Sequence, residues 1–416
     1  MLEKLKSLQN KKVCKSHKLT VLLCTAFLIL STICNGFIIH GAIALPSSST
    51  SLFLSGFIQN AANAFLHTNG TKILNANNQE VTFNGVSTMT LFGYEQYASG
   101  GFLPVDYTPA DMNAIRSHGL NLVRFDIQLN TALYGVPASQ QTPTNLTFNS
   151  QFFPVLDGLV NQAAQQGLWV NLCFGTSDGT WSPIGGVFGS GNGFPSWMYN
   201  GSWSYFNKTY ANTIDGRDSA IRDFWNIYDP TAANARIAYQ TFWKDMTIHF
   251  KNSPNVIFGL YNEPENQWGG NTPIWSNQTL GAIAYQTFID QTIDIIQAEA
   301  PNLIFQNEAY FWDYNTNLKI DRANVVVECH QYSVIDQNFI NLGWRYNQPF
   351  FLGEFGGIEQ GLQNEAGTIA NMQLCNSVNV SRSYLEYSPS QSYPSVQTWT
   401  DLQTYLIPNE KHYSAG

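Results

Sequence analysis

The sequence predicts an α/β protein folded as a (β/α)8 TIM barrel, and three observations carry that prediction. Eight short apolar runs, each the length of a buried strand, recur along the chain, and helix-like stretches precede most of them. Val256–Leu260 and Asn324–Val327 read as near-continuous apolar runs, the pattern of parallel strands covered on both faces. The 416 residues leave ample chain for such a barrel, which needs about 250.

Taken in order, Pro46–Ser51 is a Ser-rich linker, and Thr71–Val86 reads as two brief strands around the turn signal Asn75-Ala76-Asn77-Asn78, an N-terminal hairpin. The candidate barrel strands are Val81–Thr88, Asn121–Ile127, Leu168–Phe174, Val256–Tyr261, Leu303–Asn307, Asn324–Cys329, Pro349–Glu354 and Val380–Tyr387. Helices are expected over Thr108–His118, Gln151–Gln166, Ala232–Phe250, Thr279–Ala300 and Asn364–Asn376. Between the third and fourth strands, residues 175 to 230 form a long Gly- and aromatic-rich connection, expected on the rim of the barrel after its third strand. Its aromatic residues would stack on sugar rings or pack a small core of their own. An open doubly wound sheet is the competing architecture, but no Gly-rich phosphate loop follows the first strand.

Residues 1–44 read as a secretory signal or an N-terminal membrane anchor, 45–66 as linker and lead-in, and 67–416 as the barrel. The leader holds six Lys within its first eighteen residues, followed by an almost wholly apolar stretch from Leu19 to Leu45 with a small-x-small pattern at Ala42-Ile43-Ala44. A secreted protein is expected, or a cell-surface one whose only tie to the membrane is that uncleaved segment. Six of the 20 basic residues and one of the 29 acidic residues lie in this leader, leaving 14 basic against 28 acidic, so nucleic acid is excluded as a partner. Charged residues make up 12% of the chain, about half the usual share, which suits acidic surroundings where few ion pairs must survive protonation. Six Asn-x-Ser/Thr sites, at Asn69, Asn145, Asn200, Asn207, Asn277 and Asn379, are open to glycosylation in an exported protein. Three Cys outside the leader, Cys173, Cys329 and Cys375, permit at most one internal bridge.

Two glutamates stand where an apolar run stops and a turn begins, Glu263 in Leu260-Tyr261-Asn262-Glu263-Pro264 and Glu354 in Leu352-Gly353-Glu354-Phe355-Gly356. Two carboxyls in one cleft are the equipment for cleaving a glycosidic bond, one giving a proton while the other attacks or activates water.

These motifs, with His330-x-Tyr332 between them, resemble the signature set of the cellulase family, glycoside hydrolase family five, in the wider clan of (β/α)8 retaining glycosidases. The resemblance spans the chain from about Thr71 to about Tyr387. It implies Glu263 at the end of the fourth strand as general acid/base and Glu354 at the end of the seventh as nucleophile. Asn262 would hold the sugar 2-hydroxyl, Tyr332 and Arg124 would keep Glu354 ionised and oriented, and His330 would orient Glu263 or contact substrate. The structural alternatives are an Arg124 that only pairs with Asp126 or a neighbouring strand and a His330 that only fills the core. Glu308, also at a strand end, is given no catalytic role but is a candidate for binding substrate.

The chain departs from the family pattern twice. After the third strand, where the family commonly shows a His, it reads Leu172-Cys173-Phe174-Gly175. At the end of the eighth, where a Trp normally floors the sugar subsite, it reads Tyr384-Leu385-Glu386-Tyr387, with Tyr387 as the candidate platform. Trp268, Trp275 and Trp312 follow the fourth and fifth strands and suggest several sugar subsites, hence endo action. The expected protein is a monomeric endo-β-1,4-glucanase that needs no metal or organic cofactor, with mannan as the second substrate. A non-catalytic carbohydrate-binding or structural cell-surface glycoprotein is the alternative from another class.

Overall fold

An antiparallel ribbon, β1 (His67–Asn69) with β2 (Lys72–Leu74), leads into eight parallel strands. These are β3 (Asn84–Thr88), β4 (Leu122–Ile127), β5 (Trp169–Phe174), β6 (Val256–Gly259), β7 (Ile304–Asn307), β8 (Val325–His330), β9 (Phe350–Gly356) and β10 (Ser381–Leu385). They pair in sequence order and β10 closes on β3, so the sheet is a complete barrel with no edge. The structure, a computed structural model, describes residues 65–88, 107–127, 129–133, 135–174, 224, 226–262, 278–307, 322–389 and 392–406. The leader at 1–44, the linker up to residue 64, nearly all of the long connection after β5, and Glu263, Trp268, Trp275, Glu308 and Trp312 lie outside the described residues. Contacts divide the chain into Met1–Asn60, which lies outside them, and Ala61–Gly416, which holds all of them.

Each strand falls on its predicted run with its ends shifted by a few residues. The helices expected from the sequence are α1 (Pro109–Ser117), α3 (Phe152–Gln165), α4 (Ala233–Phe250), α5 (Gln278–Glu299) and α7 (Glu365–Val378). Three more appear: α2 (Leu129–Ala132), α6 (Gln337–Gly343) and α8 (Val396–Asp401). They are too short to show an apolar stripe, and two of them are marked in sequence only by a cap. Asp336 accepts from Phe339 N–H at 3.0 Å ahead of α6, and Ser395 Oγ accepts from Thr398 N–H at 3.2 Å ahead of α8.

The hairpin lies one turn earlier than its sequence signal. The ribbon turns at Gly70 and Thr71, and Gly70 takes φ +57° there, a conformation glycine adopts at no steric cost. Asn75–Asn78 also turns, with Asn75 Oδ1 accepting from the N–H groups of Asn77 and Gln79. The returning segment, however, forms no strand: it pairs through the Asn75 N–H to Gln79 O bond, the Leu74–Glu80 bridge and the Val81 N–H to Ile73 bond before entering the barrel. The sequence hid β1 because His67-Thr68-Asn69 is polar throughout.

Alternation along each strand sends one set of side chains outward under the helices and the other into the barrel. At the bottom the inward set is apolar: Phe83, Leu122, Trp169, Ile257, Phe305, Val326 and Phe351 pack together, with Leu66, Ile73 and Val81 of the lead-in beneath them. Edge-on pairs such as Phe83–Trp169, with centroids 5.4 Å apart, add about 0.5–1.5 kcal/mol each beyond their burial. Further along the strands the inward set becomes polar, with Ser87, Arg124, Asn171, Glu328 and Ser383 all buried. The plug below is therefore a dry, rigid floor for a polar layer above.

One irregularity matters most. Cys329 pairs with Leu352 but His330 pairs with Glu354, so β9 carries one extra residue at Gly353. Leu352 and Phe355 both join the outer apolar core, so this bulge reverses the alternation between them. Gly353 and Glu354 consequently both face the barrel interior.

Candidate active site

Arg124, on the inner face of β4, sits at the centre of the polar layer and is fully buried. Its Nη1 donates to Glu354 Oε1 at 2.6 Å and lies 3.2 Å from Asp126 Oδ1. Its Nη2 donates to Asn262 Oδ1 and to Cys173 Sγ, the latter at 3.3 Å, while Nε stands 3.6 Å from Glu328 Oε1. Tyr332 donates its hydroxyl to Glu354 Oε2. His330 places Nδ1 3.4 Å from Glu354 Oε2 and Nε2 3.3 Å from Glu328 Oε1, so only the doubly protonated ring can donate to both carboxylates.

Burial alone would raise the Glu354 carboxyl. The charges of His330 and Arg124 and the hydrogen bonds from Tyr332 and Arg124 outweigh it and hold the group below the usual carboxylate range. Asp126 goes the other way, because burial pushes it up to about 8 against the pull of Arg124. Burial opposes charge on Arg124 too, yet the acidic groups around it, Glu354 and Glu328 among them, hold its pKa well above the usual guanidinium value. The Cys173 thiol is pushed up by its burial and is therefore a neutral neighbour.

Arg124, Asn262, His330, Tyr332 and Glu354 thus converge in one cluster, where His330, expected to orient Glu263 or contact substrate, faces Glu354 and Glu328. Asn262 extends the end of β6, its N–H bonded to Phe174 O at 2.9 Å, so the strand-end geometry holds up to the residue before Glu263. Tyr387 does not join the cluster through any described contact. Its hydroxyl bonds Asp111 of α1 at 2.8 Å and its ring packs edge-on to Trp399, in the layer between barrel and helices. The inward residue at the top of β10 is Leu385, two positions beyond Ser383, whose hydroxyl meets that of Ser87 inside the barrel.

Asp126, Cys173 and Glu328 were not singled out from the sequence as site residues. Their signal was alternation: Asp126 is two residues from Arg124, and Glu328 is two residues from His330. Cys173 stands in register with Asp126 at the end of β5. Cys173, Cys329 and Cys375 are buried and are not joined in a disulfide. Among the described residues no group of three or more His, Cys, Asp or Glu side chains is arranged to hold a metal ion.

A closed parallel barrel with a buried carboxylate held by Arg and Tyr at a strand's C-terminal end has the architecture and site position of the (β/α)8 enzymes. Residues 74–391 match the model of the cellulase family, glycosyl hydrolase family 5, and the chain belongs to that family. It is a glycoside hydrolase. No curated protein sequence matches it. Among solved structures, an endogalactoceramidase aligns with TM-score 0.57 at 16% identity, over 78% of this chain and 75% of that one. The native β-glucanase of Saccharophagus degradans aligns with TM-score 0.52 at 16% identity, over 82% and 91%. The same β-glucanase in complex with cellotetraose aligns with TM-score 0.50 at 15% identity over the same shares. At these identities the likeness is one of fold.

Proposed function

We propose that the chain is an exported endo-β-1,4-glucanase working by double displacement, with Glu354 as nucleophile and Glu263 as general acid/base. The observation that carries this reading is the clamp on Glu354: one oxygen bound by Arg124, the other by Tyr332, and the carboxyl kept ionised despite burial. An ionised, oriented carboxylate is what attack on an anomeric carbon requires. Glu263 follows Asn262, whose amide Oδ1 accepts from Arg124 in the same cluster.

In the first step a Glu354 oxygen bonds the anomeric carbon as the glycosidic bond breaks, and Glu263 gives its proton to the departing oxygen. In the second, Glu263 takes a proton from water, which attacks the same carbon and releases Glu354 as carboxylate. The Arg124 and Tyr332 bonds strengthen as charge returns to Glu354. The β-glucan assignment draws support from the shared family and from the fold of a β-glucanase solved with cellotetraose. Export draws support from the N-terminal leader and from Asn69, Asn145 and Asn379, which are exposed and available to glycosylation.

The deciding experiment incubates the chain with β-glucans, β-mannans and xylans and sizes the products, alongside Glu354→Gln and Glu263→Gln. Internal cleavage of β-1,4-glucan by the parent, and its loss in both variants, is expected. Mannan as the preferred polymer would move the substrate assignment, and a parent that binds glucan without cleaving it would overturn the catalytic reading.

A further inference from the structure

Asp126 stands on the same guanidinium nitrogen as Glu354. Arg124 Nη1 hydrogen-bonds Glu354 Oε1 at 2.6 Å, whereas Asp126 Oδ1, at 3.2 Å, is within ion-pair reach yet outside hydrogen-bond geometry. That oxygen is fully covered and has no hydrogen-bond partner among the described residues. The charged and titratable groups facing Asp126 are Arg124 on its own strand, Cys173 in register on β5, Glu328 and His330 on β8, and Glu354 on β9 with Tyr332 behind it. Glu263, next to Asn262, lies outside the described residues. Were every carboxyl ionised, three carboxylates would converge on one guanidinium and one imidazolium in a space closed to water. A neutral Asp126 removes one negative charge from that crowd.

We propose that Asp126 is a positioning residue for the glycosidase reaction: as a neutral acid it occupies the second place on Arg124 Nη1 without competing for it, and its ionisation draws the guanidinium away from Glu354. Burial favours the neutral form up to about pH 8, with Glu354 and Glu328 adding to the effect and Arg124 and His330 opposing it. The position is built for a poor contact with Arg124, which is why Glu354 receives the short, aligned bond. The inference rests on Glu354 being the nucleophile.

The test uses the full chain and 2,4-dinitrophenyl β-cellobioside, whose leaving group departs without a proton, so that titration of Glu263 does not set the alkaline limb. Asp126→Asn keeps the shape and removes the ionisation. Relative to its own value near pH 6, its kcat/KM is expected to stay flat for about one pH unit beyond the parent's decline. An unmoved limb, or a folded variant inactive near pH 6, overturns the proposal. Glu354→Gln in parallel separates the two readings. Its turnover at the parent rate sinks the nucleophile, while its inactivity beside an unmoved Asp126→Asn limb sinks only the role of Asp126.

A second measurement needs no turnover. An acid whose folded pKa exceeds its unfolded one keeps its proton only in the folded state between the two values, so parent stability falls across about pH 4 to 8. The thermal midpoint of Asp126→Asn should gain on the parent through that window and hold its lead above it. A constant gap would show that Asp126 is not kept neutral.

Discussion

Glu328 occupies the space that a side chain on Gly353 would need: a Cβ there would stand 2.0 Å from Glu328 Oε1. This pairing accounts for the glycine in Gly353-Glu354-Phe355-Gly356. The bulge turns both Gly353 and Glu354 inward, and only a residue without a side chain lets Glu328 lie across β9 to reach Arg124 and His330. Gly353→Ala must therefore push Glu328 aside, at a cost of about 1–3 kcal/mol in overpacking. We expect a lower midpoint in thermal denaturation together with a fall in kcat. A variant with parental stability and parental kcat would show that Glu328 does not act through this contact.

Tyr332 and Arg124 serve opposite oxygens of Glu354, so their loss should be separable. Tyr332→Phe removes one hydrogen bond to the carboxylate, worth about 1.5–3 kcal/mol and hence roughly 10–100-fold in rate. The sign of its pH effect follows from the direction of the shift. Tyr332 helps depress the Glu354 pKa, and activity requires the ionised form, so the acid limb of kcat/KM should move to higher pH in the variant. A pH–rate profile on polymeric substrate checks this, and a limb that stays in place would mean the phenol only packs.

Arg124→Lys keeps the charge but not the fork. Arg124 reaches Glu354, Asn262 and Cys173 with its two terminal nitrogens and faces Glu328 with the third, whereas one ammonium cannot span them. Breaking buried pairs of this kind costs about 3–5 kcal/mol. The expected result is a fall in kcat of at least about 100-fold, together with weaker resistance to urea. Retention of more than a tenth of parental kcat would argue that Glu354 is held by Tyr332 and His330 alone.

The barrel was legible because buried parallel strands must be apolar on both faces, so runs such as Val256–Gly259 and Val325–Val327 announce themselves. Glu354 was legible for a related reason, as a carboxylate ending such a run. The bulge was not, since Leu352-Gly353-Glu354 reads as simple alternation and would aim Glu354 away from Arg124. Register belongs to the pairing of three strands, and no window on β9 alone contains it. Asp126 and Glu328 were hidden inside apolar strands, where a charged residue reads as an exception until its inward partners from four other strands are in place. Tyr387 misled for the same reason: its ring is directed by a bond to Asp111, 276 residues away in sequence.

Outside the site, Glu359 ties the C-terminal helix to the barrel and gives a stability prediction of its own. Its carboxylate accepts from Ser395 N–H at 2.9 Å, Thr398 Oγ1 at 2.7 Å and Tyr384 hydroxyl at 2.6 Å. Burial would raise its pKa, but these bonds win and lower it. A depressed folded pKa stabilises the fold above the unfolded pKa and loses that contribution as pH falls through the folded value. Glu359→Gln should thus cost about 1–2 kcal/mol near neutral pH, from weakened bonds to a partly solvated group, and the cost should shrink as pH falls through the depressed folded pKa. Chemical denaturation of both proteins at several pH values reads the difference directly. A deficit that persists unchanged in acid would place the loss in shape, and not in the charge that Ser395, Thr398 and Tyr384 are arranged to meet.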